Sequence, residues 1–199
     1  MDADFPAAHS MDSSWYAVDQ HGNVALFVTG AGGAVPNNAY SPDNAAMMME
    51  ELDDETREEL GFSEADVVPA DSLPAEKNCF VYATGPMDEA LADRYHRSRV
   101  PKNPVHIDEL PPQARAALGK MRFDTLDFAK TEVFQPVELT ACGTWDPAYL
   151  SGDGKTVRPV PGREKEYAEF IEERRADFAG DELTLEEPPR RKRKPRGKE

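Results

Sequence analysis

The clearest hydrophobic pattern of the chain lies in residues 14–29, where two apolar runs flank a short polar stretch. Both runs are rich in aromatic and β-branched residues, which is typical of two strands joined in a β-hairpin. With His21 and Gly22 in the turn, the pattern pairs Trp15 with Val28 and leaves apolar side chains on both faces. We therefore predict a hairpin that lies inside a sheet and is covered on both sides.

Two segments carry apolar residues at helical spacing. Residues 42–60 follow Ser41, a good helix cap, and precede Gly61, a residue that often ends a helix. Residues 163–178 follow Gly162 and have a regular apolar stripe between charged positions. We predict that both segments are single amphipathic helices that pack on the sheet.

The remaining pattern is weaker and predicts shorter elements. Residues 79–84 read as a strand, residues 87–95 as a short helix, residues 112–118 as a helix closed at a glycine, and residues 151–155 as a tight turn. The sequence thus predicts one α+β domain over residues 1–180. Its sheet is expected to be mostly antiparallel, built around the N-terminal hairpin and packed by amphipathic helices.

Charge divides the chain into an acidic body and a basic end. The 199 residues have a formal net charge of −15, and removing the +6 of the last ten leaves −21 on residues 1–189. Residues 181–199, first acidic and then basic, contain little that a core can bury, so we predict a disordered tail. We expect this tail to touch its own acidic surface transiently and to contribute little to folding stability.

The acidic body also limits what the chain can bind. It repels polyanions, so nucleic acid is expected to bind only weakly, through the basic run at the end of the chain. That run begins with Arg190, Arg191, Lys192, Arg193 and Lys194. No apolar run approaches membrane-spanning length, and the N-terminus lacks the pattern of a signal peptide. We predict a cytoplasmic protein without a membrane partner.

The sequence contains no recognisable cofactor-binding or metal-binding motif. The glycine-rich stretch after the hairpin lacks the lysine of a phosphate-binding loop, so no cofactor is predicted. His9 and Asp12 lie too far along the first strand from Asp19 and His21 to share a metal, so no metal site is predicted either. Two cysteines make no disulfide framework, and their spacing leaves open whether they are neighbours.

Two classes of function remain. The acidic side of the 42–60 helix is either a solvated face or a docking surface for a basic protein partner. Its candidate partner-binding residues are Glu50, Glu51, Asp54, Glu55 and Glu58. This leading hypothesis is a non-enzymatic protein-binding module. The alternative is a small hydrolase or other enzyme that uses the weak catalytic candidates His9 and Asp12, with residues that the sequence does not pair with them.

The first 36 residues resemble the opening of a group of uncharacterised bacterial proteins. The likeness is carried by the pattern HSMDxxWxAVDxxGxVAxF from His9 to Phe27 and by the stretch from Gly33 to Pro36. The hairpin of aspartate, glycine and aromatic residues is also loosely similar to the SUKH superfamily. That resemblance implies an α+β binding module, since many SUKH proteins are immunity proteins against polymorphic toxins, and it assigns no functional residue.

Overall fold

A computed structural model describes residues 13–30, 32–85, 91–92, 94–176, 178 and 183–187. The helices in these ranges are α1 (Pro42–Glu51), α2 (Asp54–Glu59), α3 (Pro112–Leu118) and α4 (Glu164–Arg174). The strands are β1 (Ser14–Asp19), β2 (Val24–Val28), β3 (Val35–Pro36), β4 (Phe80–Ala83), β5 (Tyr95–Arg99), β6 (Arg122–Phe123), β7 (Val133–Phe134), β8 (Cys142–Gly143), β9 (Ala148–Leu150), β10 (Thr156–Pro159) and β11 (Thr184–Leu185). The α+β class is confirmed.

The largest sheet has the strand order β6-β1-β2-β4-β5-β7. Its β1–β2, β4–β5 and β5–β7 pairs are antiparallel, whereas β1–β6 and β2–β4 are parallel. The sheet is therefore mixed, where the sequence predicted a mostly antiparallel one. The chain leaves β2, forms α1 and α2, and returns in the same direction as β4, and only a long crossover of this kind can join parallel neighbours.

The predicted hairpin is present, but its register differs from the prediction by one residue. Trp15 pairs with Phe27 rather than with Val28, and Ala17 pairs with Ala25. The turn is longer than two residues because Asp19 and Asn23 form its last backbone contact, leaving three residues in the loop. A longer loop moves every cross-strand partner, which is why turn length sets register.

Both faces of the hairpin are buried, as predicted. Trp15, Ala17, Ala25 and Phe27 lie in an aromatic core that also contains Phe80, Tyr82, Tyr95, Phe123, Phe128 and Phe134. The opposite face packs against α3 and the short helical turn Ile107–Glu109. The alternation of side chains along a strand places each set on its own side of the sheet.

Gly22 in the hairpin turn allows His106 to approach the backbone closely. Its φ of +85° is a conformation that favours glycine, and a Cβ at this position would lie 2.1 Å from His106 Nε2. The same imidazole Nε2 lies 2.9 Å from the His21 carbonyl oxygen, while Nδ1 accepts a hydrogen bond from the Asp108 N–H. Gly22 therefore joins the turn to the 105–110 segment.

Replacing Gly22 by alanine is expected to lower the free energy of unfolding by about 2 kcal/mol, because strain at positive φ is joined by the clash with His106. Gly162→Ala is the matched control, since Gly162 has a φ of +88° and open space around it. Gly162→Ala should lower the free energy of unfolding by only about 1 kcal/mol. Urea denaturation of both variants measures the difference, and equal costs would contradict the close approach of His106.

The predicted 42–60 helix is two helices. Helix α1 ends at Glu51, and Asp53 starts α2 by accepting a hydrogen bond from the Thr56 N–H at 2.8 Å. An aspartate favours a helix start over a helix interior because its carboxylate satisfies a free backbone N–H. Gly61, with a φ of +67°, follows the end of α2 as expected.

The prediction of a helix over residues 87–95 is wrong at its end. Tyr95 is the first residue of β5, and residues 86–90 lie outside the described part of the chain. The strand is stabilised by its place between β4 and β7 and by the burial of Tyr95 in the aromatic core. Tertiary contacts outweigh the weak helical pattern here. Arg97 and Arg99 lie on this strand, and Arg99 pairs with Glu76 at 2.7 Å.

Helix α4 packs on a second sheet of order β11-β10-β9, and not on the hairpin sheet where the sequence predicted it. Tyr167 and Ile171 from α4 are buried there with Leu150 and Val157. Strand β11 pairs in parallel with β10, and Leu185 packs against the same core. The folded part thus extends beyond residue 180, where the sequence placed the start of the tail; residues 188–199 lie outside the described ranges.

Several shorter predictions are confirmed. Helix α3 ends before Gly119, strand β4 falls within residues 79–84, and residues 151–155 form the turn between β9 and β10. In that turn Asp153 accepts hydrogen bonds from the N–H groups of Lys155 and Thr156, and these bonds lower the pKa of its carboxyl group. Among the residues that the structure covers, none forms a helix that is both long and apolar enough to span a bilayer.

Candidate functional site

An open cleft of about 570 Å³ lies beside α1. It lies between the loop 37–41, the buried side of α1 and the segment that follows α2. The lining mixes amide, hydroxyl and charged groups with apolar side chains: Asn37, Asn38, Ala39, Tyr40, Ser41, Ala45, Met48, Leu60, Gly61, Phe62, Asp66 and Lys120. We call it the main cleft. A cleft of this size and mixed lining accommodates a few side chains of a peptide or a small molecule.

The wall formed by α1 is held in place at its first turn. Ser41 caps the helix by accepting a hydrogen bond from the Asn44 N–H at 3.2 Å. Asp43 accepts hydrogen bonds from both the N–H and the hydroxyl of Ser14, at 2.7 and 2.9 Å. Helix α1 is therefore tied to the first strand of the main sheet, and the Ala45 and Met48 side chains point to the cleft from a fixed backbone.

The opposite wall is the chain between α2 and β4. Tyr40 accepts a hydrogen bond from the Val68 N–H at 2.9 Å, and burial raises the pKa of its hydroxyl, which is therefore neutral at pH 7. Gln113 on α3 donates hydrogen bonds to the carbonyls of Ala65 and Val67. These bonds attach residues 65–68 to the rest of the domain and keep the cleft open between two supported walls.

Asp66 and Lys120 bring opposite charges to the main cleft. Asp66 accepts hydrogen bonds from the N–H and hydroxyl of Ser63, both at 2.9 Å. These bonds, followed by the nearby Lys120 ammonium, lower the pKa of the Asp66 carboxyl group. The cleft therefore offers a fixed carboxylate and a cation at neutral pH.

A second, smaller groove adjoins the main cleft and shares Gly61 and Phe62 with it. This side groove has a volume of about 340 Å³ and is also lined by Met49, Asp54, Arg57, Glu58, Ser63 and Glu64. Arg57 pairs with Asp54 and donates a hydrogen bond to the Met49 carbonyl at 2.8 Å, which ties α2 to the end of α1. The break between the two helices thus creates a groove with three carboxylates.

The five predicted partner-binding residues lie on α1 and α2, the two helices that border this groove. Glu50, Glu51, Asp54, Glu55 and Glu58 are all exposed, and we call them the acidic surface. Asp54 and Glu58 line the side groove itself. Asp54 has its partner in Arg57, but among the described residues no Lys, Arg or His lies within 4.0 Å of the other four carboxylates. Four exposed negative charges are therefore available to a ligand.

The weak catalytic candidates His9 and Asp12 lie outside the described residues, whereas Asp19 and His21, considered with them as metal ligands, lie at the hairpin turn. Asp19 is fully buried in the hairpin turn, where it accepts hydrogen bonds from backbone and side-chain N–H groups. His21 lies 3.4 Å from Asp127 at the exposed end of the hairpin. These contacts give Asp19 a structural role.

The two cysteines lie in different cores. Cys79 is buried on the α3 side of the main sheet, and Cys142 lies beside Val137 and Tyr149. Both are free thiols, and burial raises the pKa of each to about 12. Neither is a thiolate at neutral pH, which is the form that a cysteine nucleophile requires.

Sequence reasoning found the acidic surface and missed the main cleft. The loop residues Asn37 and Asn38 and the distant Lys120 have no spacing that connects them. They meet because the 37–41 loop, α1, residues 60–66 and Lys120 enclose one cleft. The methionine run 47–49 was the one available signal, since Met48 lines the main cleft and Met49 the side groove.

Known proteins give no further guide to this site. No protein-family model matches the chain, and neither a curated protein nor a solved structure matches it. The chain is therefore described by its own fold, a mixed α+β domain with the main cleft and an acidic side groove beside α1 and α2.

Proposed function

We propose that this protein is a non-enzymatic protein-binding module whose acidic surface and main cleft bind a basic segment of a partner protein. The observation that carries the proposal is the set of four exposed carboxylates on α1 and α2, one of them in the side groove, with no described Lys, Arg or His within 4.0 Å. The N-terminal resemblance to SUKH proteins suggests a more specific version of this proposal. In that version the protein is an immunity-type module whose acidic surface masks a basic partner.

Charge supports fast and selective capture of such a partner. Residues 1–189 carry a formal charge of −21, so a basic protein is attracted from a distance and basic side chains are favoured on contact. The apolar groups Met48, Leu60 and Phe62 then give the contact an uncharged part that salt does not weaken. Binding is accordingly expected to be strongest at low ionic strength and to fall as salt screens the charges.

The test is affinity capture from the source cell with the full chain as bait, at about 50 mM and about 500 mM salt. The decisive variant replaces Glu50, Glu51 and Glu55 with glutamine. Its matched control replaces Glu169, Glu172 and Glu173, three exposed glutamates of α4, so both variants lose the same charge. We expect one basic protein to be recovered by the native chain and the control at low salt, and to be lost from the acidic-surface variant.

Recovery of the same protein by both variants in equal amounts would show that the acidic surface is not the binding site. Recovery of no protein partner at low salt would reject the proposed function itself.

A further inference from the structure

We propose that the main cleft is also the binding site of a free amino acid with a large apolar side chain. Asp66 pairs with the ammonium group of this ligand and Lys120 pairs with its carboxylate, while the apolar lining of the cleft covers its side chain. The inference goes beyond the proposed function, because it concerns a small molecule that the chain binds without any partner protein.

Asp66 and Lys120 bring opposite charges to one cleft without forming a direct ion pair. The Lys120 ammonium is near enough to help lower the pKa of the Asp66 carboxyl group, yet it lies within 4.0 Å of no carboxylate in the part of the chain that the structure describes. A ligand that carries both charges can pair with both groups at once. Hydrogen bonds between such charged groups are stronger than those between neutral ones.

The Asp66 carboxylate has a fixed orientation and one oxygen to spare. Its Oδ2 atom accepts both hydrogen bonds from Ser63, from the N–H and from the hydroxyl, at 2.9 Å. None of the described residues donates a hydrogen bond to the Oδ1 atom. An ammonium group has three N–H donors, so Oδ1 is the acceptor that we expect it to use.

The polar rim of the cleft is a loop that is attached at both ends. The Asn37 N–H donates a hydrogen bond to the Ala141 carbonyl at 3.0 Å, and the Tyr16 N–H donates one to the Tyr40 carbonyl at 3.1 Å. The side chains of Asn37 and Asn38 are exposed and form no hydrogen bond with any residue that the structure describes. Their amide groups, which both donate and accept, are therefore available to the ligand.

An apolar side chain finds cover on the other part of the lining. Ala45 and Met48 are buried residues of α1, whereas Leu60 is 42% exposed and Phe62 is half-buried. A large apolar group placed over Leu60 removes surface of both from water, which is favourable in proportion to the area buried. The flexible thioether of Met48 adapts to branched or aromatic shapes. The cleft volume of about 570 Å³ also lies in the range of small-molecule sites.

Net charge favours a zwitterion over a simpler ion. The chain has a formal net charge of −15, which repels a small anion, while Lys120 opposes the approach of a small cation to Asp66. A zwitterion has no net charge and gains from both groups. This preference distinguishes the ligand of the main cleft from the basic segment that the acidic surface attracts.

The experiment titrates L-phenylalanine into the full chain and follows the amide NMR signals. Two analogues serve as comparisons, since phenethylamine lacks the carboxylate and 3-phenylpropionate lacks the ammonium group. We expect a dissociation constant of about 1 mM for the amino acid and values at least about tenfold higher for both analogues, because each loses one charge-assisted contact. The signals of residues 37–41, 60–66 and 120 should move, whereas those of α4 should stay in place.

Two substitutions assign the charges. Asp66→Asn and Lys120→Gln should each weaken the binding of L-phenylalanine about tenfold. Lys120→Gln should not weaken phenethylamine, and Asp66→Asn should not weaken 3-phenylpropionate, because each analogue lacks the group that the substituted residue pairs with. Asp71→Asn and Lys165→Gln are the matched controls, since both residues are exposed and neither lines the cleft. They should leave the affinity for L-phenylalanine unchanged.

The inference is overturned if L-phenylalanine at about 10 mM moves no signal of the cleft, or if either analogue binds as tightly as the amino acid. It is also overturned if the control substitutions weaken the amino acid as much as those of Asp66 and Lys120.

The outcome is separate from that of the proposed function, because the acidic-surface variant should bind L-phenylalanine as the native chain does. A chain that binds the amino acid but captures no partner would reject the proposed function alone. A chain that captures its partner but does not bind the amino acid would reject this inference alone.

Discussion

Replacing Trp15 by alanine is expected to lower the free energy of unfolding by about 3–5 kcal/mol, because this ring lies at the centre of the aromatic core. Trp15 is fully buried, and its ring stacks on Phe27 with centroids 4.0 Å apart. Its indole N–H donates a hydrogen bond to the Tyr95 hydroxyl at 2.9 Å, and that hydroxyl in turn donates to the Ala34 carbonyl. Truncation therefore leaves a large cavity and removes one of two linked, buried hydrogen bonds.

The second tryptophan provides a matched control. Trp145 is 74% exposed, so Trp145→Ala should change the free energy of unfolding by less than about 1 kcal/mol. Urea denaturation followed by circular dichroism measures both variants. In Trp145→Ala the remaining emission comes from buried Trp15 and should be blue-shifted, whereas Trp15→Ala should emit as an exposed indole. Similar stability losses in the two variants would show that Trp15 is not the centre of the core.

Replacing Asp19 by asparagine is expected to cost about 3 kcal/mol of unfolding free energy although the side chain keeps its shape. The Asp19 carboxylate accepts four hydrogen bonds, from the N–H groups of His21, Asn23 and Phe128 and from the Asn23 side chain. An amide turns one acceptor oxygen into a donor, so N–H groups that now meet an acceptor would face another N–H. Buried donors without an acceptor are among the costliest defects in a folded protein.

Asp124→Asn is the control for this change, because the Asp124 side chain is 86% exposed and lies 3.9 Å from Arg122. It should change stability by no more than about 0.5 kcal/mol. Thermal and urea unfolding of both variants at pH 7 compare the two sites. A loss below about 1 kcal/mol for Asp19→Asn would mean that the hairpin turn does not depend on this carboxylate.

Local patterns were enough to place several elements. The hairpin, β4, α3 and the turn at 151–155 were predictable because each is set by neighbouring residues: alternating apolar side chains, a proline at a helix start or glycines in a turn. Burial of both hairpin faces was also predictable, since an apolar side chain on either face needs cover. The acidic surface was visible for the same reason, as a run of charges needs no tertiary information.

Several failed predictions depended on distant residues, whereas the break in the 42–60 helix is set locally by the Asp53 cap. The hairpin register depends on a loop closed by Asp19, and the Asp19 side chain is held in turn by the Phe128 N–H, over a hundred residues away. Tyr95 looked helical by spacing, but its ring completes a core made of Trp15, Phe27 and Phe134. Side-chain burial against such partners outweighs the few tenths of a kcal/mol by which local propensities differ.

The sequence alone determined the alternation of elements, the acidic body with its basic end and the stretch that carries the acidic surface. The tertiary structure decided that this stretch would border a groove. Lys120 reaches the main cleft from a distant part of the chain, and the Arg57 bond to Met49 ties α2 to α1. A cavity is lined by residues from separate segments, and these segments come together only when the sheet and its helices pack.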